Sequence, residues 1–460
     1  MNRELSLDNI EHIFFIGIAG AGMSALAQYL AGEERQVSGS DRYFIAGEYN
    51  ETRERLEAEG ISCFPQTGDG ISDKIQLVIV STAVEDSVPE VQRAKELGIP
   101  IIKRSDLLAM IAATKRTIAV GGTSGKSTTG GMLFQILDHA GYDPGIISGA
   151  GLVSLIKKGK IGNAKQGKGE WLIIEADESD GSIVKYHPEI GLLLNIDKDH
   201  QEISELMEIF STFKMNTTGQ FVVNRSNALS ASLSADIKND FSSDDHEAGL
   251  IAKGLKQDGM QISFNINDEP FELQTIGKHN MENSLAAASV AKIIGISLAT
   301  AAAGLKTYEG IYRRHQLLGE KNGIKVIDDY AHNPAKCAAS IAACQPIAAK
   351  VIAWFQPHGY GPTRFLKDDF IKEIAAVLRP EDEIWMSEIF YAGGTAVKDI
   401  SANELVEGIR AAGKKAYFVE DRNELLEHLH PHFTDDCVLL LMGARDPGLE
   451  TFSKELYEKL

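Results

Sequence analysis

The segment Thr117-Ile118-Ala119-Val120-Gly121-Gly122-Thr123-Ser124-Gly125-Lys126-Ser127-Thr128-Thr129 sets a β-branched apolar run, a glycine turn and a Lys-Ser-Thr helix start in immediate succession. Few architectures accommodate that order. A strand that turns through glycine into a helix, continued here by the amphipathic stretch Met132–Leu137, belongs in a mainly parallel sheet with helices on its faces. Such a turn also converges backbone N–H groups at a helix N-terminus, where the local field favours phosphate oxygens. Lys126 offers a point charge to β/γ-phosphates and Ser127 a hydroxyl for magnesium, with Gly122, Thr123, Gly125 and Thr128 completing the cradle. The spacing is one residue short of G-x-x-x-x-G-K-[ST], because Val120 stands six positions before Lys126. From the residues alone, a glycine turn capping a helix that carries a solvated lysine stays open as the alternative.

The same alternation extends along the chain. From Glu11 to Ala113, apolar runs at His12–Ile18, Gln36–Gly39, Leu77–Val80 and Ile99–Ile102 alternate with helical patterns at Ala21–Gly32 and Val88–Leu97, which implies a parallel sheet. Its first turn, Gly17-Ile18-Ala19-Gly20-Ala21-Gly22-Met23-Ser24, is a dinucleotide fingerprint with Ala19 in place of the second glycine. Asp41, 19 residues after Gly22, stands where an acidic residue would meet a ribose hydroxyl. An ordinary tight turn is the competing reading. A second series runs to about residue 311, with strands at Trp171–Glu175, Ile190–Asn195 and Gln220–Asn224, a polar segment Ser232–Glu247 expected as a surface insertion, and alternating runs near Gly259–Ile266 and Phe271–Thr275. A third begins near Arg313, with Lys325–Ile327, Val351–Trp354, Glu383–Met386, Ala416–Val419 and Val438–Leu441. At 460 residues, about three domain lengths, the expectation is α/β with three Rossmann-like domains at 1–112, 113–311 and 312–460. The central one carries the phosphate loop on a mixed or mainly parallel sheet.

With 46 basic and 65 acidic residues, net −19, the chain is no sequence-independent nucleic-acid binder. Cys63, Cys337, Cys344 and Cys437 show no C-x-x-C spacing and read as reduced, mostly buried thiols. No run approaches about 18 apolar residues, and the N-terminus lacks a basic-then-apolar signal. A cytoplasmic protein without membrane contact is expected.

Polar clusters follow several apolar runs. Glu175-Ala176-Asp177-Glu178-Ser179-Asp180 and Asn195-Ile196-Asp197-Lys198-Asp199-His200 would emerge at the carboxyl edge of one sheet, where open α/β folds place ligands. The carboxylates suit magnesium. A histidine is an unusual ligand for that ion, so His200 has a hydrogen-bonding role open to it as well. Gly277-Lys278-His279-Asn280-Met281-Glu282-Asn283 opens an Ala-rich helix with Asn280 and Asn283 on one face; their amides can pair with adenine, and helix capping by Asn280 competes. Arg313-Arg314 could neutralise polyphosphate or form surface ion pairs. Asp328-Asp329-Tyr330-Ala331-His332-Asn333-Pro334 ends a further run, and Phe355-Gln356-Pro357-His358 with Arg364 lies beyond another.

The ordered set G-I-A-G-A-G-M-S, G-T-S-G-K-S-T-T, E-A-D-E-S-D, N-I-D-K-D-H, G-K-H-N-M-E-N, R-R and D-D-Y-A-H-N-P resembles the Mur ligases of peptidoglycan synthesis over nearly the whole chain. Val37–Asp41, Ile99–Arg104, the E-A-D-E-S-D block and the F-Q-P-H block are most similar to the branch that joins L-alanine to UDP-N-acetylmuramate. The resemblance implies a UDP-sugar domain, a central ATPase and an amino-acid domain that closes over the cleft, with an acyl phosphate as intermediate. It implies ATP contacts from the phosphate loop, Asn280, Asn283, Arg314, Asp329 and His332, and two magnesium ions, one on Ser127 and Glu175 and one on His200. Lys126, Glu175, His200, Asn280 and Asp329 are its catalytic set. UDP-sugar contacts fall on Gly17, Ala19, Gly20, Gly22, Met23, Ser24, Ser40, Asp41, Ser81 and Thr82, and amino-acid contacts on Tyr330, His358 and Arg364. Partners would be UDP-N-acetylmuramate and an amino acid or short peptide, on a monomer or weak homodimer. The chain departs from the family pattern at Ser124 and Asp69, and at Gly359 and Pro362, where two basic residues of the family are missing from the segment that faces the incoming amino acid and nucleotide; that last departure bears on the identity of the amine. A related ligase with another amine, as in muropeptide recycling, and a non-catalytic nucleotide-sugar-binding regulator are the rival readings; a dehydrogenase would rest on the first glycine turn alone.

Overall fold

Short runs of Ile, Val, Leu and Phe form the strands of three parallel-type sheets in the computed structural model, which describes residues 6–82, 84–198, 202–391 and 397–460. Elements are counted among those residues. The first sheet comprises β1 (His12–Ile16), β2 (Gln36–Asp41), β3 (Ser62–Pro65), β4 (Leu77–Val80) and β5 (Ile101–Lys103), in the order β3-β2-β1-β4-β5 with every pair parallel. Helices on both faces bury Phe14, Phe15 and Ile16 completely, which is why β1 reads as an unbroken apolar run. The helix Ala21–Gly32 matches the expected span.

The second sheet holds β6 (Arg116–Gly121), β7 (Gly145–Ile147), β8 (Ala164–Lys165), β9 (Trp171–Glu175), β10 (Ile190–Leu193) and β11 (Gln220–Val223), ordered β11-β10-β6-β9-β7-β8. Only the β7–β8 pair is antiparallel, the mainly parallel sheet anticipated for the phosphate loop. A small sheet follows from β12 (Phe241–Ser242), β13 (Leu250–Asp258), β14 (Gln261–Ile266) and β15 (Glu269–Leu273). The last sheet contains β16 (Gln316–Lys321), β17 (Ile324–Asp329), β18 (Lys350–Gln356), β19 (Glu383–Met386), β20 (Ala416–Phe418) and β21 (Cys437–Gly443), ordered β16-β17-β21-β18-β19-β20, with only β16 antiparallel.

Residue contacts divide the chain into two compact units. The first is Met1–Lys253, Asn265–Phe271 and Glu282–Ile311; the second is Gly254–Phe264, Glu272–Met281 and Tyr312–Leu460. Within the first unit, one continuous core runs from Leu26, Leu30 and Leu107 beside the first sheet to Leu172, Ile174 and Phe210 of the second. A buried amide stitches the two sheets together: Asn163 Nδ2 donates to Ala21 O at 2.7 Å and to Ser24 Oγ at 3.0 Å, while its Oδ1 accepts from Gln28 Nε2 at 2.7 Å. Within the second unit, the helices Pro334–Cys344, Lys367–Val377 and Ala402–Ala411 pack with Val438, Leu440 and Met442 on one face. The helix Leu449–Lys459, which follows β21, packs with Leu439 and Leu441 on the other face. The sheet therefore changes winding at β21, and such a reversal opens a crevice at the strands' carboxyl ends.

The polar segment Ser232–Glu247 departs from the surface insertion expected of it. Asp240 is buried, its Oδ1 accepts the Val223 N–H at 2.9 Å, and Phe241–Ser242 form β12. A carboxylate can be buried once hydrogen bonds satisfy it, and composition alone does not reveal that. All four cysteines are buried and unbridged, as expected. No helix among the described residues is long and apolar enough to cross a membrane.

Candidate active site

The phosphate loop joins β6 to the helix Lys126–His139, whose N-cap Gly125 adopts φ 87°. Glycine is required there twice over. The left-handed backbone disfavours side chains, and a Cβ would lie 2.6 Å from Asn283 Oδ1. Asn283 instead accepts from Thr129 Oγ1 at 3.2 Å, so the Ala-rich helix buttresses the loop from behind. Asn195, just past β10, clasps the loop from the side: its Oδ1 accepts from Thr123 Oγ1 and from Ser124 N, both at 2.9 Å, and its Nδ2 donates to Ser124 O at 3.2 Å. Thr123 Oγ1 in turn accepts the Asp197 N–H at 3.1 Å.

Lys126 Nζ donates to Gly122 O and to Glu178 Oε2, both at 2.7 Å, with Asp177 Oδ1 at 3.8 Å. Burial works to discharge the lysine, but the carboxylates of Glu178, Asp177 and Glu175 outweigh it and hold the ammonium above its usual range. Glu175 ends β9, and its Oε1 accepts from Ser148 Oγ at 2.6 Å and Gly149 N at 2.9 Å. Ser127 is buried in the first turn of the loop helix. His200 and Asp199 lie outside the described residues. The lysine's partner Glu178, the Asn195 clasp and the Ser148–Gly149 support were not assigned these parts from sequence. The only signal for each is a polar residue directly beyond a buried strand.

The first glycine turn is equally ordered. Gly17 adopts φ 79°, Gly17 N and Ile18 N donate to Ser40 O at 2.7 and 3.0 Å, and Ala19 N donates to Asp41 Oδ2 at 2.9 Å. Asp41 Oδ1 takes the Tyr43 N–H at 3.0 Å, so the carboxylate anticipated for a ribose already braces the turn. Gly20 caps the helix that Gly22, Met23 and Ser24 continue. Met23 is buried, and the Ser24 hydroxyl is engaged with Ala21 O and Asn163. Ser40 Oγ is buried with no hydrogen-bond partner among the described residues. Ser81 and Thr82 follow the end of β4. The Arg104 side chain packs where a Cβ on Gly22 would sit, 3.0 Å away, and its Nη2 donates to Asp180 Oδ2 at 3.2 Å. The first glycine turn and the acidic block after β9 are thereby connected within the first unit.

In the second unit, Asn280 Nδ2 donates to Thr275 Oγ1 at 2.9 Å and Ile276 O at 2.8 Å. Asp329 ends β17. Its Oδ1 takes the Ala331 N–H at 3.0 Å, and its Oδ2 takes the Ser340 hydroxyl at 2.9 Å and lies 3.1 Å from His315 Nε2. His315 stacks on His279 with centroids 4.9 Å apart, and burial followed by the neighbouring His315 pushes His279 down to about 3. Burial, then Lys336, likewise holds His332 well below the ordinary range; its Nδ1 lies 2.9 Å from Tyr330 O, and its ring is 5.6 Å from that of His358. The arginine pair divides its labour: Arg313 forms a bidentate pair with Asp328 at 2.9 and 3.1 Å, while Arg314 lies 5.0 Å over the Tyr330 ring. Arg364 is ion-paired with Asp399.

The hard oxygens of Glu175, Asp177 and Ser127 fit magnesium in their chemistry, and Glu175 is already oriented by two hydrogen bonds. No cluster of three or more metal-ligating side chains occurs among the described residues.

Three family models match consecutive stretches: Mur ligase family, catalytic domain, at residues 12–116; Mur ligase middle domain at 120–291; and Mur ligase, glutamate ligase domain, at 313–445. The UDP-N-acetylmuramate–L-alanine ligase of Carboxydothermus hydrogenoformans is 34% identical over 447 residues, covering 94% of this chain and 93% of that protein. The ligase of the same name from Pelotomaculum thermopropionicum is 34% identical over 459 residues, 96% of each. The crystal structure of UDP-N-acetylmuramate-alanine ligase from Thermotoga maritima superposes with TM-score 0.78 at 26% identity, covering 97% of this chain and 98% of that one. A murein peptide ligase from Psychrobacter arcticus shares the fold, with TM-score 0.66 at 22% identity over 97% of this chain and 98% of its own. With three of its models matched in order and full-length relatives at this identity, the chain belongs to the Mur ligase family.

Proposed function

We propose that this Mur ligase joins an amino acid, L-alanine on the strength of its relatives' names, to the lactyl carboxylate of UDP-N-acetylmuramate in peptidoglycan synthesis, converting ATP to ADP and phosphate. The observation that carries this reading is Lys126, held charged between Gly122 O and Glu178 at the mouth of a loop that Asn195 clasps. An amine cannot expel oxide from a free carboxylate, so the reaction needs a phosphoryl group transferred to a carboxylate oxygen from ATP before the amine attacks the carbonyl carbon and phosphate leaves.

In this reading Lys126 draws charge from the transferring phosphate. The loop N–H groups, fixed in advance by Asn195, offer hydrogen bonds without reorganising during the step. Glu175 and Ser127 hold magnesium, joined by His200 for a second ion, and the metal when bound screens the repulsion between phosphate and carboxylate. The turn from Gly17 to Ser24, with Ser40, Asp41, Ser81 and Thr82, receives the UDP-sugar. Asn280, Asn283, Arg314, Asp329 and His332 serve ATP, and Tyr330, His358 and Arg364 serve the amino acid. The test is phosphate release measured with each substrate omitted in turn and with each amino acid supplied. Release that requires ATP, UDP-N-acetylmuramate and L-alanine together is the expected result. Release that ignores the sugar overturns the reading, and dependence on a different amine reassigns that substrate.

A further inference from the structure

Beyond Gly443, the end of β21, the chain enters Arg445 at φ 63°. A side chain in the left-handed region is strained, and such residues persist where the surroundings fix them. Here they do. Ala444 and Asp446 on either side are buried, Asp446 is ion-paired with Arg422, and Asp446 Oδ1 accepts the Gly448 N–H at 2.8 Å. The Arg445 side chain between them is exposed.

Other arginines that leave this carboxyl edge are engaged: Arg313 with Asp328, Arg364 with Asp399, Arg422 with Asp446, and Arg314 over Tyr330. Arg445 has no carboxylate partner among the described residues. It also stands two residues past the strand at which the sheet changes winding, the position where open α/β sheets hold ligands.

We propose that Arg445 binds the α-carboxylate of the incoming amino acid and so selects free amino acids over amines that lack one. This rests on the ligase reading, because the amine must stay neutral and free to attack. A small amino acid then offers its carboxylate as the main handle, and a guanidinium matches that group in charge and in its paired oxygens.

Arg445→Gly is an informative variant, because glycine relieves the left-handed backbone while removing the charge. In it the KM for L-alanine rises about 10- to 100-fold, the loss expected for a charged hydrogen-bond pair. The KM values for ATP and UDP-N-acetylmuramate stay within about twofold, and the melting temperature does not fall. The preference for L-alanine over L-alaninamide, read as a ratio of kcat/KM values, falls about tenfold or more, and Arg445→Lys recovers part of it. An unchanged L-alanine KM and amide preference in Arg445→Gly overturns the assignment, as does an equal rise in all three KM values. A wild-type enzyme that releases no phosphate with any amino acid overturns the ligase reading and the assignment with it.

Discussion

His279 shows what one residue's setting does to its chemistry. Its ring stacks on His315, and burial together with that neighbour pushes it down to about 3. An unfolded chain binds a proton at this residue near pH 6.5 while the folded chain does not, so stability falls as pH drops from about 6.5 toward 3. The part due to His279 is roughly 1 to 2 kcal/mol between pH 7 and pH 5, toward the lower end because the residue is only half-buried. Urea denaturation of the wild type at both pH values should show that loss, and His279→Gln should show a smaller one. An identical pH slope in the variant would mean that the ring is charged in the fold. None of this was legible in the motif that opens the Ala-rich helix, because His315 and Ser340 reach His279 and Asp329 only after the chain has folded.

Elements repeat the lesson with a different balance. The strand–turn–helix order around Lys126 was readable because apolar period, glycine and helix start are local properties, and β6 with its helix appears where they indicated. The support of that loop was not readable. Asn195 lies 72 residues from Thr123 and becomes its clasp through the parallel pairing of β6 with β10. Asn195→Ala removes three side-chain hydrogen bonds, each worth about 1 kcal/mol. We expect a lower melting temperature and an ATP Kd raised about tenfold, read by calorimetry, with the fold otherwise kept. A Kd that does not move would show that the loop holds its shape unaided. The segment Ser232–Glu247 is the converse case, where acidic composition suggested a surface insertion and the buried Asp240 made part of it a support for β11.

Across the whole molecule, the α/β class and the parallel sheets followed from the alternation of apolar runs with helical patterns, while the sharing of a core did not. The first two sheets draw on one set of buried side chains, and Asn163 makes three hydrogen bonds across them. Asn163→Leu removes all three hydrogen bonds and leaves one buried Gln28 N–H unmet, while Ser24 Oγ still donates to Ala21 O, a cost of about 2 to 3 kcal/mol. Scanning calorimetry should show a marked fall in the melting transition of the first unit, or its separation into two. An unchanged thermogram would sever the two sheets energetically. The shared core has a further consequence for chemistry. The glycine turn after β1 and the phosphate loop after β6 belong to one folded body, with Arg104 and Asp180 linked between them. Under the proposed ligase reading, the spacing between the sugar's turn and the phosphate loop is then a fixed length set during folding, so that carboxylate and phosphoryl donor would be aligned by a common frame rather than by a search after binding.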